Sequence, residues 1–383
     1  MKKLFVFAIA AICMVAACKK NPLPTPEDET QVAVQFNTKN IEASVTKTKA
    51  PITGWDGSQT LYIYGFAVNR QGGTDNGAQI GLGSGRYTLN SPFINNVSAV
   101  SPSAGNSAIN VYNPQGGATE PFYYDINTSV VYDFYGYYHG TAQLGTATMA
   151  NDAITYPVTI DGTQDLLYAT TNKEEDLKTG VEKHQAYGAW AARRGVQPTL
   201  NFQHALSQFT FQIKRGQGSY NGELTVQNVQ ILGSNKGNFT VVGATPGYVA
   251  ATDTDMTDSF ILPGNSGSGA IVLDRNTSDY LPVDGALMVA PEQETIRVKV
   301  TLKASNYSPN EGVIVYEFDL KATDVKKDSQ SANITKFAAG HSYTAKVIVY
   351  GPEEVEFDVT LGEWVEGGEV EYDPDNDNNA PAA

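Results

Sequence analysis

The 383-residue sequence predicts an all-β protein. Three observations carry this. Apolar and polar residues alternate with period two along most of the chain, and Gly, Asn, Pro and Asp interrupt that alternation at short intervals. Sustained apolar spacing at three and four residues, the mark of an amphipathic helix, is almost absent. The composition agrees: 36 glycines suit tight turns, and 21 tyrosines suit a pleated, half-buried surface.

Lys2 and Lys3 precede an apolar stretch, Leu4 to Ala17, that is short for a membrane span and reads as a secretory signal. It ends Val15-Ala16-Ala17-Cys18, which resembles the lipobox of bacterial lipoproteins. That resemblance implies cleavage before Cys18, a diacylglyceryl thioether on its thiol, further acylation such as palmitate, and residence in the outer membrane. Two or more acyl chains hold a protein stably on a membrane, whereas one does not. The other cysteine, Cys13, lies in the removed segment, so the mature chain would have no thiol for a disulfide, a metal or a nucleophile. Packing alone must then hold the fold.

Loss of the signal takes the formal charge from −15 to −17, with 24 Lys+Arg left against 41 Asp+Glu. Basic residues cluster no further than short pairs such as Arg193-Arg194 and Lys326-Lys327. Nucleic acid is therefore not an expected partner.

The chain divides by composition into residues 1–18 (signal), 19–30 (a Pro-rich, charged tether), 31–190 and 191–372 (two β-sandwiches), and 373–383 (an acidic tail with nothing apolar to bury). Val32, Val34 and Phe36 alternate with polar neighbours, as do Ile41, Ala43 and Val45 after a turn at Thr38-Lys39-Asn40, and the simplest reading is a hairpin. The boundary is placed in Lys173 to Arg194, a Gln-, Lys- and Ala-rich stretch that predicts a helical turn or long loop. Near the end, Tyr343, Ala345, Val347 and Val349 share one strand face. Beyond Gly351-Pro352, Val355, Phe357, Val359 and Leu361 alternate with Glu356, Asp358 and Thr360.

Five features resemble the fimbrillin family of Bacteroidales type V pilus subunits. They are the lipobox; Thr46-Lys47-Thr48-Lys49-Ala50 followed by Trp55 and the strand Leu61 to Val68; Asp165-Leu166-Leu167-Tyr168-Ala169; Phe202-Gln203-His204-Ala205-Leu206-Ser207; and Phe337 through Trp364. The resemblance implies two tandem transthyretin-like β-sandwich domains, a place in the fimbriae of the cell surface, and assembly with other fimbrial subunits by donor-strand exchange, in the service of adhesion. A protease removes the N-terminal strand, and the vacated groove accepts a strand from another subunit. Val32, Val34 and Phe36 would be the plugs of the removable strand, worth about 5–9 kcal/mol if all three are buried. Lys39, Lys47 and Lys49 are the candidate processing sites. The family commonly has arginine there, and this chain has none before Arg70. Val355, Phe357, Val359 and Leu361 form either a donor strand or the last strand of their own domain. The scheme requires a segment 31–45 able to leave its groove, so a segment loose in solvent, or sealed centrally with neighbours paired on both flanks, would overturn it.

No catalytic, metal or cofactor site is expected. His139, His184, His204 and His341 have no ligand spacing, and His204 reads as a partly buried strand residue. Ser44-Val45-Thr46-Lys47 has none of the companion motifs of S-x-x-K enzymes, and the glycine runs at Gly81 and Gly264 read as loops. The alternative to a fimbrial subunit is a surface glycan-binding lipoprotein of a carbohydrate-uptake system. Its binding platform would come from the aromatic run Phe122 to Tyr138, of which one alternate set is expected in the core and the other at the surface.

Overall fold

The structure, a computed structural model, describes residues 31–38, 52, 54–68, 87–103, 107–117, 119–251, 258–262, 271–276, 279–327, 330–352 and 354–363. Cys18, the tether, the candidate sites Lys39, Lys47 and Lys49, the expected second strand at 41–45, both glycine runs and the acidic tail lie outside the described residues. Within them the chain is all-β, with strands in four sheets and helix confined to single turns.

The first sheet begins with β1 (Phe36–Thr38), β2 (Thr60–Ala67), β3 (Ile94–Val100), β4 (Ala108–Ile109) and β5 (Tyr132–Tyr138). The chain then forms β6 (Gln143–Leu144), β7 (Thr148–Ala150) and β8 (Ala153–Thr159) of another sheet before β9 (Leu167–Thr171) and β10 (Thr199–His204) complete the first. Its order is β3-β2-β5-β9-β10-β1-β4.

β5 shows why this sheet is central. One alternate set of its aromatics was expected at the surface, but both sets are buried. Tyr132 and Phe134 join a layer with Phe36, Leu61, Ile63 and Phe202, while Tyr135 and Tyr137 join the opposite layer with Tyr64 and Phe66. A strand covered on both faces needs a continuous apolar run, and alternation applies only to sheets wet on one side. The first layer is closed by Val181, Tyr187, Ala189, Ala191 and Val196. They lie within or beside the stretch expected to interrupt the strands, which forms the helical turns α1 (Lys173–Asp176) and α2 (Ala189–Ala192).

The remaining strands are β11 (Ser207–Arg215), β12 (Leu224–Gly233), β13 (Lys236–Val242), β14 (Gly247–Ala250), β15 (Asp258–Ile261), β16 (Ile271–Leu273), β17 (Leu281–Val289), β18 (Thr295–Ala304), β19 (Val313–Lys321), β20 (Val325–Lys327), β21 (Gln330–Ser331), β22 (His341–Gly351) and β23 (Glu354–Glu363). They build sheets ordered β17-β11-β22-β23-β20-β21 and β15-β12-β18-β19, and with the earlier strands β14-β13-β8-β6. Strand pairing crosses position 190/191 at several places, β1 with β10 among them. β10 follows it yet pairs with β9, and β13 follows it yet pairs with β8, setting Phe239 opposite Tyr156.

Where a sheet has one wet face, alternation returns. Ile296, Val298, Val300 and Leu302 of β18 are buried, while Arg297 and Lys299 face Asp319 and Glu317 directly across the ladder to β19 at 2.8 and 3.8 Å. Tyr343, Ala345, Val347 and Val349 of β22 are buried as their spacing predicts, and Phe337 packs edge-on to Phe209 at 5.0 Å.

With both faces of the first sheet covered, its tyrosine hydroxyls must pair inside the protein. Tyr64 and Tyr156 share a hydrogen bond of 2.8 Å. Tyr87 donates to Asp133 at 2.6 Å, and Lys173 reaches the same carboxylate at 2.7 Å. Burial pushes the phenols of Tyr64, Tyr87, Tyr124, Tyr137, Tyr187 and Tyr248 well above their ordinary value of 10.0. The unfolded chain releases these protons near pH 10 while the folded chain keeps them. Stability is thus fully present below pH 10 and falls above it, by about 1.4 kcal/mol per pH unit for each such tyrosine. In an alkaline titration the phenolate absorbance of the exposed tyrosines should rise first, and that of the buried group should rise together with loss of the β-sheet circular dichroism. Smooth titration of every tyrosine in a folded protein would contradict this.

Candidate functional site

The site is built around residues 31–38. Val34 and Phe36 are 5% and 2% exposed, Val32 is half-buried and Gln35 points out, so the apolar side chains alternate inward. The Phe36 ring meets Phe134 edge-on at 5.0 Å. Two fully buried side chains and a partial one are worth about 3–6 kcal/mol.

The segment is paired on both flanks at residues 36–38 and on one flank at 32–34. On one side β1 runs parallel to β10, with Asn37 opposite Thr199 and Asn37 N–H donating to Pro198 O at 3.0 Å. On the other, Phe36 and Asn37 face Ile109 and Ala108 of β4, and Thr38 N–H donates to Ser107 O at 2.8 Å. The same flank continues beyond an excursion at residues 110–121: Val34 N–H donates to Phe122 O at 2.7 Å, and Tyr124 N–H to Val32 O at 2.9 Å. The expected partner of residues 32–36 in a hairpin, residues 41–45, lies outside the described residues. At residues 36–38 both flanks are held by other strands. The segment lies second from the sheet edge in a slot, with β10 as the inner wall and residues 107–109 and 122–124 as the outer.

The inner wall is fixed from the helical stretch. Asp176 Oδ2 accepts from Thr199 N–H at 2.8 Å and from the Tyr187 hydroxyl at 2.5 Å, and the Gln197 amide reaches Gln35. Desolvation, then the neighbouring Asp176, pushes the Tyr187 phenol up, so it stays a donor. Sequence reasoning gave Asp176 no role, because its partners lie 11 and 23 residues away.

The chain on the far side of the lysine-bearing segment is also held. Ile52 N–H donates to Asp165 Oδ2 at 2.9 Å, and Asp165 Oδ1 lies 3.0 Å from His204 Nδ1. Trp55 is buried and meets Phe202 edge-on at 5.0 Å. Three of the stretches singled out in the sequence, around Trp55, Asp165 and His204, thus meet at one place. His204 is a buried structural residue, as its flanks Phe202 and Leu206 imply.

β23 pairs antiparallel with β22 along its length, and its Val359 sits parallel to Val325 of β20. Val359 is buried and Leu361 half-buried; Val355 and Phe357 face Val349 and Val347 in the ladder register. The other histidines stand apart: His139 beside Ala142 O at 3.2 Å, His184 beside Glu182 at 3.2 Å, and His341 beside Ala339 O at 2.9 Å. Burial lowers the His139 pKa. Among the described residues, no three His, Cys, Asp or Glu side chains are grouped to hold a metal ion. Of the aromatic run, Phe122, Tyr124, Tyr132, Phe134, Tyr135 and Tyr137 are buried, and Tyr123 and Tyr138 are half-buried.

Residues 31–364 match the protein family described as Fimbrillin-like. No curated protein matches the chain. Among solved structures, a fimbrial protein from Bacteroides vulgatus is similar in fold, with 13% identity, coverage of 88% of this chain and 100% of that one, and a TM-score of 0.50. A fimbrilin from Porphyromonas gingivalis aligns over 89% of this chain and 100% of its own, with 10% identity and a TM-score of 0.41. The family match spans the slot strand, both of its walls and the closing β23, and on that match the chain belongs to the fimbrillin-like family.

Proposed function

We propose that this protein is a subunit or anchor of a surface fimbria. In this reading it is lipid-anchored to the outer membrane through Cys18, joins other fimbrial subunits by donor-strand exchange, and serves cell adhesion. The fimbrillin-like family is one of structural adhesion proteins and not of enzymes. The observation that carries the reading is the buried strand at 32–38, lodged in a slot and followed at once by the segment that bears Lys39, Lys47 and Lys49.

Two-sided pairing removes the simplest form of exchange, in which a strand peels sideways from an open edge. Departure of residues 32–38 requires the outer wall to open. That wall is the one with no strand beyond it, since β4 has two residues and ends the sheet. Cleavage in 39–49 would free the strand at one end, and an incoming strand would find backbone donors and acceptors on two flanks where an open edge offers one. The lack of arginine before Arg70 calls for a protease that cuts at lysine. A subunit that is never cut would stay closed and suit an anchor role. Val355, Phe357, Val359 and Leu361 are read as the closing strand of their own sheet, because β22 and β20 already flank it.

Limited trypsin treatment of the mature-length protein should cut after Lys39, Lys47 or Lys49 and yield ladders that resist detergent and dissociate on heating, while the uncut protein stays monomeric. Phe36→Ala should speed ladder formation after the cut. A nicked, strictly monomeric product that keeps its N-terminal fragment would overturn the exchange mechanism. Cys18→Ala should move the protein from the membrane fraction to the soluble one.

Asp165 keeps the chain beyond the cut in place. Asp165→Ala removes the acceptor of Ile52 N–H and leaves the His204 imidazole buried without its carboxylate. A loss of about 2–4 kcal/mol is expected in urea denaturation, with partial rescue by Asp165→Asn, which retains an acceptor oxygen. Equal stability of Asp165→Ala and wild type would exclude this anchoring role.

A further inference from the structure

A pocket of about 430 Å³ lies away from the slot, where strands from before and after position 190 meet. Its wall carries three side-chain amides, Gln143 of β6, Gln164 of the turn before β9 and Asn235 of the turn between β12 and β13, together with the carboxylate of Asp161. Thr141 and Ser259 add hydroxyls at an exposed rim, and Ile160 and Phe260 form an apolar floor.

The polar groups are held before any ligand arrives. Gln164 is buried, and its Oε1 accepts from Asp161 N–H at 2.6 Å, so its amide nitrogen is the donor it has to offer. Asp161 Oδ1 accepts from both Thr163 N–H and the Thr163 hydroxyl, at 2.8 and 2.6 Å, which orients the carboxylate. Ile160 N–H donates to Asn235 O at 2.8 Å and ties the two turns together. Gly162, between Asp161 and Thr163, has φ +87°, and a Cβ there would lie 3.0 Å from Phe260 Cβ, so a side chain would strain the backbone and crowd the floor.

The wall chemistry selects a ligand class. It has no Lys, Arg or His, so nothing compensates a phosphate, sulfate or carboxylate, and its single carboxylate repels anions. One carboxylate without other anionic ligands is also a poor metal site. Amides and a carboxylate together offer donors and acceptors at short spacing, and a hydroxyl is both donor and acceptor, so neighbouring hydroxyls on a neutral ring satisfy both. The volume is near the small end of ligand pockets, which span about 300–1,000 Å³, and so fits one or two sugar rings better than a longer chain.

We propose that this pocket binds the terminal one or two residues of an uncharged glycan. Phe260 is 2% exposed, which leaves no open face for a sugar to stack on. Binding then rests on hydrogen bonds and is weak, with a dissociation constant on the order of 1 mM. Repetition of the subunit along a fimbria would convert weak sites into firm attachment through multivalency. The avidity rests on the fimbrial reading, whereas the site does not.

The test is saturation-transfer NMR on the uncleaved, monomeric mature-length protein, so its result is independent of assembly. The probes are methyl galactoside, methyl mannoside, methyl fucoside, N-acetylglucosamine and lactose, with sialyllactose as the charged control. At least one neutral sugar should show transfer and sialyllactose none. Ser259→Trp, at an exposed position of β15, should fill the mouth and abolish transfer with an unchanged melting curve. Gln143→Ala, also exposed, should weaken binding about tenfold and serves as the second variant if Ser259→Trp misfolds. Absence of transfer across all neutral probes, or transfer unaffected by either folded variant, would overturn the proposal.

Discussion

The constraint on which the rest depends is the completion of a sheet that is covered on both faces. Water does not reach the centre of the seven-stranded sheet, so the backbone groups of every strand there must find partners within it. Residues 32–38 supply those partners to β10 on one side and to the 107–124 wall on the other. They also fill the layer in which Phe36 meets Phe134. Removing them would leave β10 with unpaired donors and acceptors facing an apolar trough. The slot strand and the slot are therefore one feature, and whatever takes the place of the strand must satisfy the same two ladders and the same plug positions.

The same constraint explains the unusual chemistry of the core. A central sheet rich in tyrosine places hydroxyls where solvent is absent, and these hydroxyls pair with each other, with Asp133 and with Asp176. Each pairing fixes a ring as well as satisfying a hydrogen bond. With no cysteine among the described residues, this network does part of the specifying that a disulfide does elsewhere. It ties β5 to the segment that carries Tyr87, and the helical stretch to the inner wall of the slot.

The fold class, the strand character of most segments and the inward alternation of Val32, Val34 and Phe36 were legible in the sequence, because period-two patterning reports which face of a strand is wet. The same logic misread a place where no face is wet. In β5 it assigned half of the aromatics to the surface, and at β1 it gave no sign of the described neighbours, which begin about 70 and 160 residues further on. Position 190 marks a real change in composition, since the helical stretch lies there, but composition carries no information on which distant strands pair across it. The meeting of Trp55, Asp165 and His204 was invisible for the same reason. Each looked like an ordinary strand or turn residue, and only the resemblance to a family singled out those three stretches together.

The slot geometry also explains why a cut in the chain would act as the switch. Burying Val34, Phe36 and part of Val32 contributes about 3–6 kcal/mol, and the backbone hydrogen bonds along the strand's flanks add about 1 kcal/mol each. Ordering seven residues costs at least about 1 kcal/mol each, a sum of similar size. What tips the balance toward the seated strand in the intact chain is its connection through residues 39–51, which keeps it at a high effective concentration beside its slot. Once that connection is cut, the fragment competes as a free peptide against any strand tethered to a neighbouring subunit, and the tethered strand has the advantage. In the proposed exchange, the outer wall would set the rate and the connection the direction.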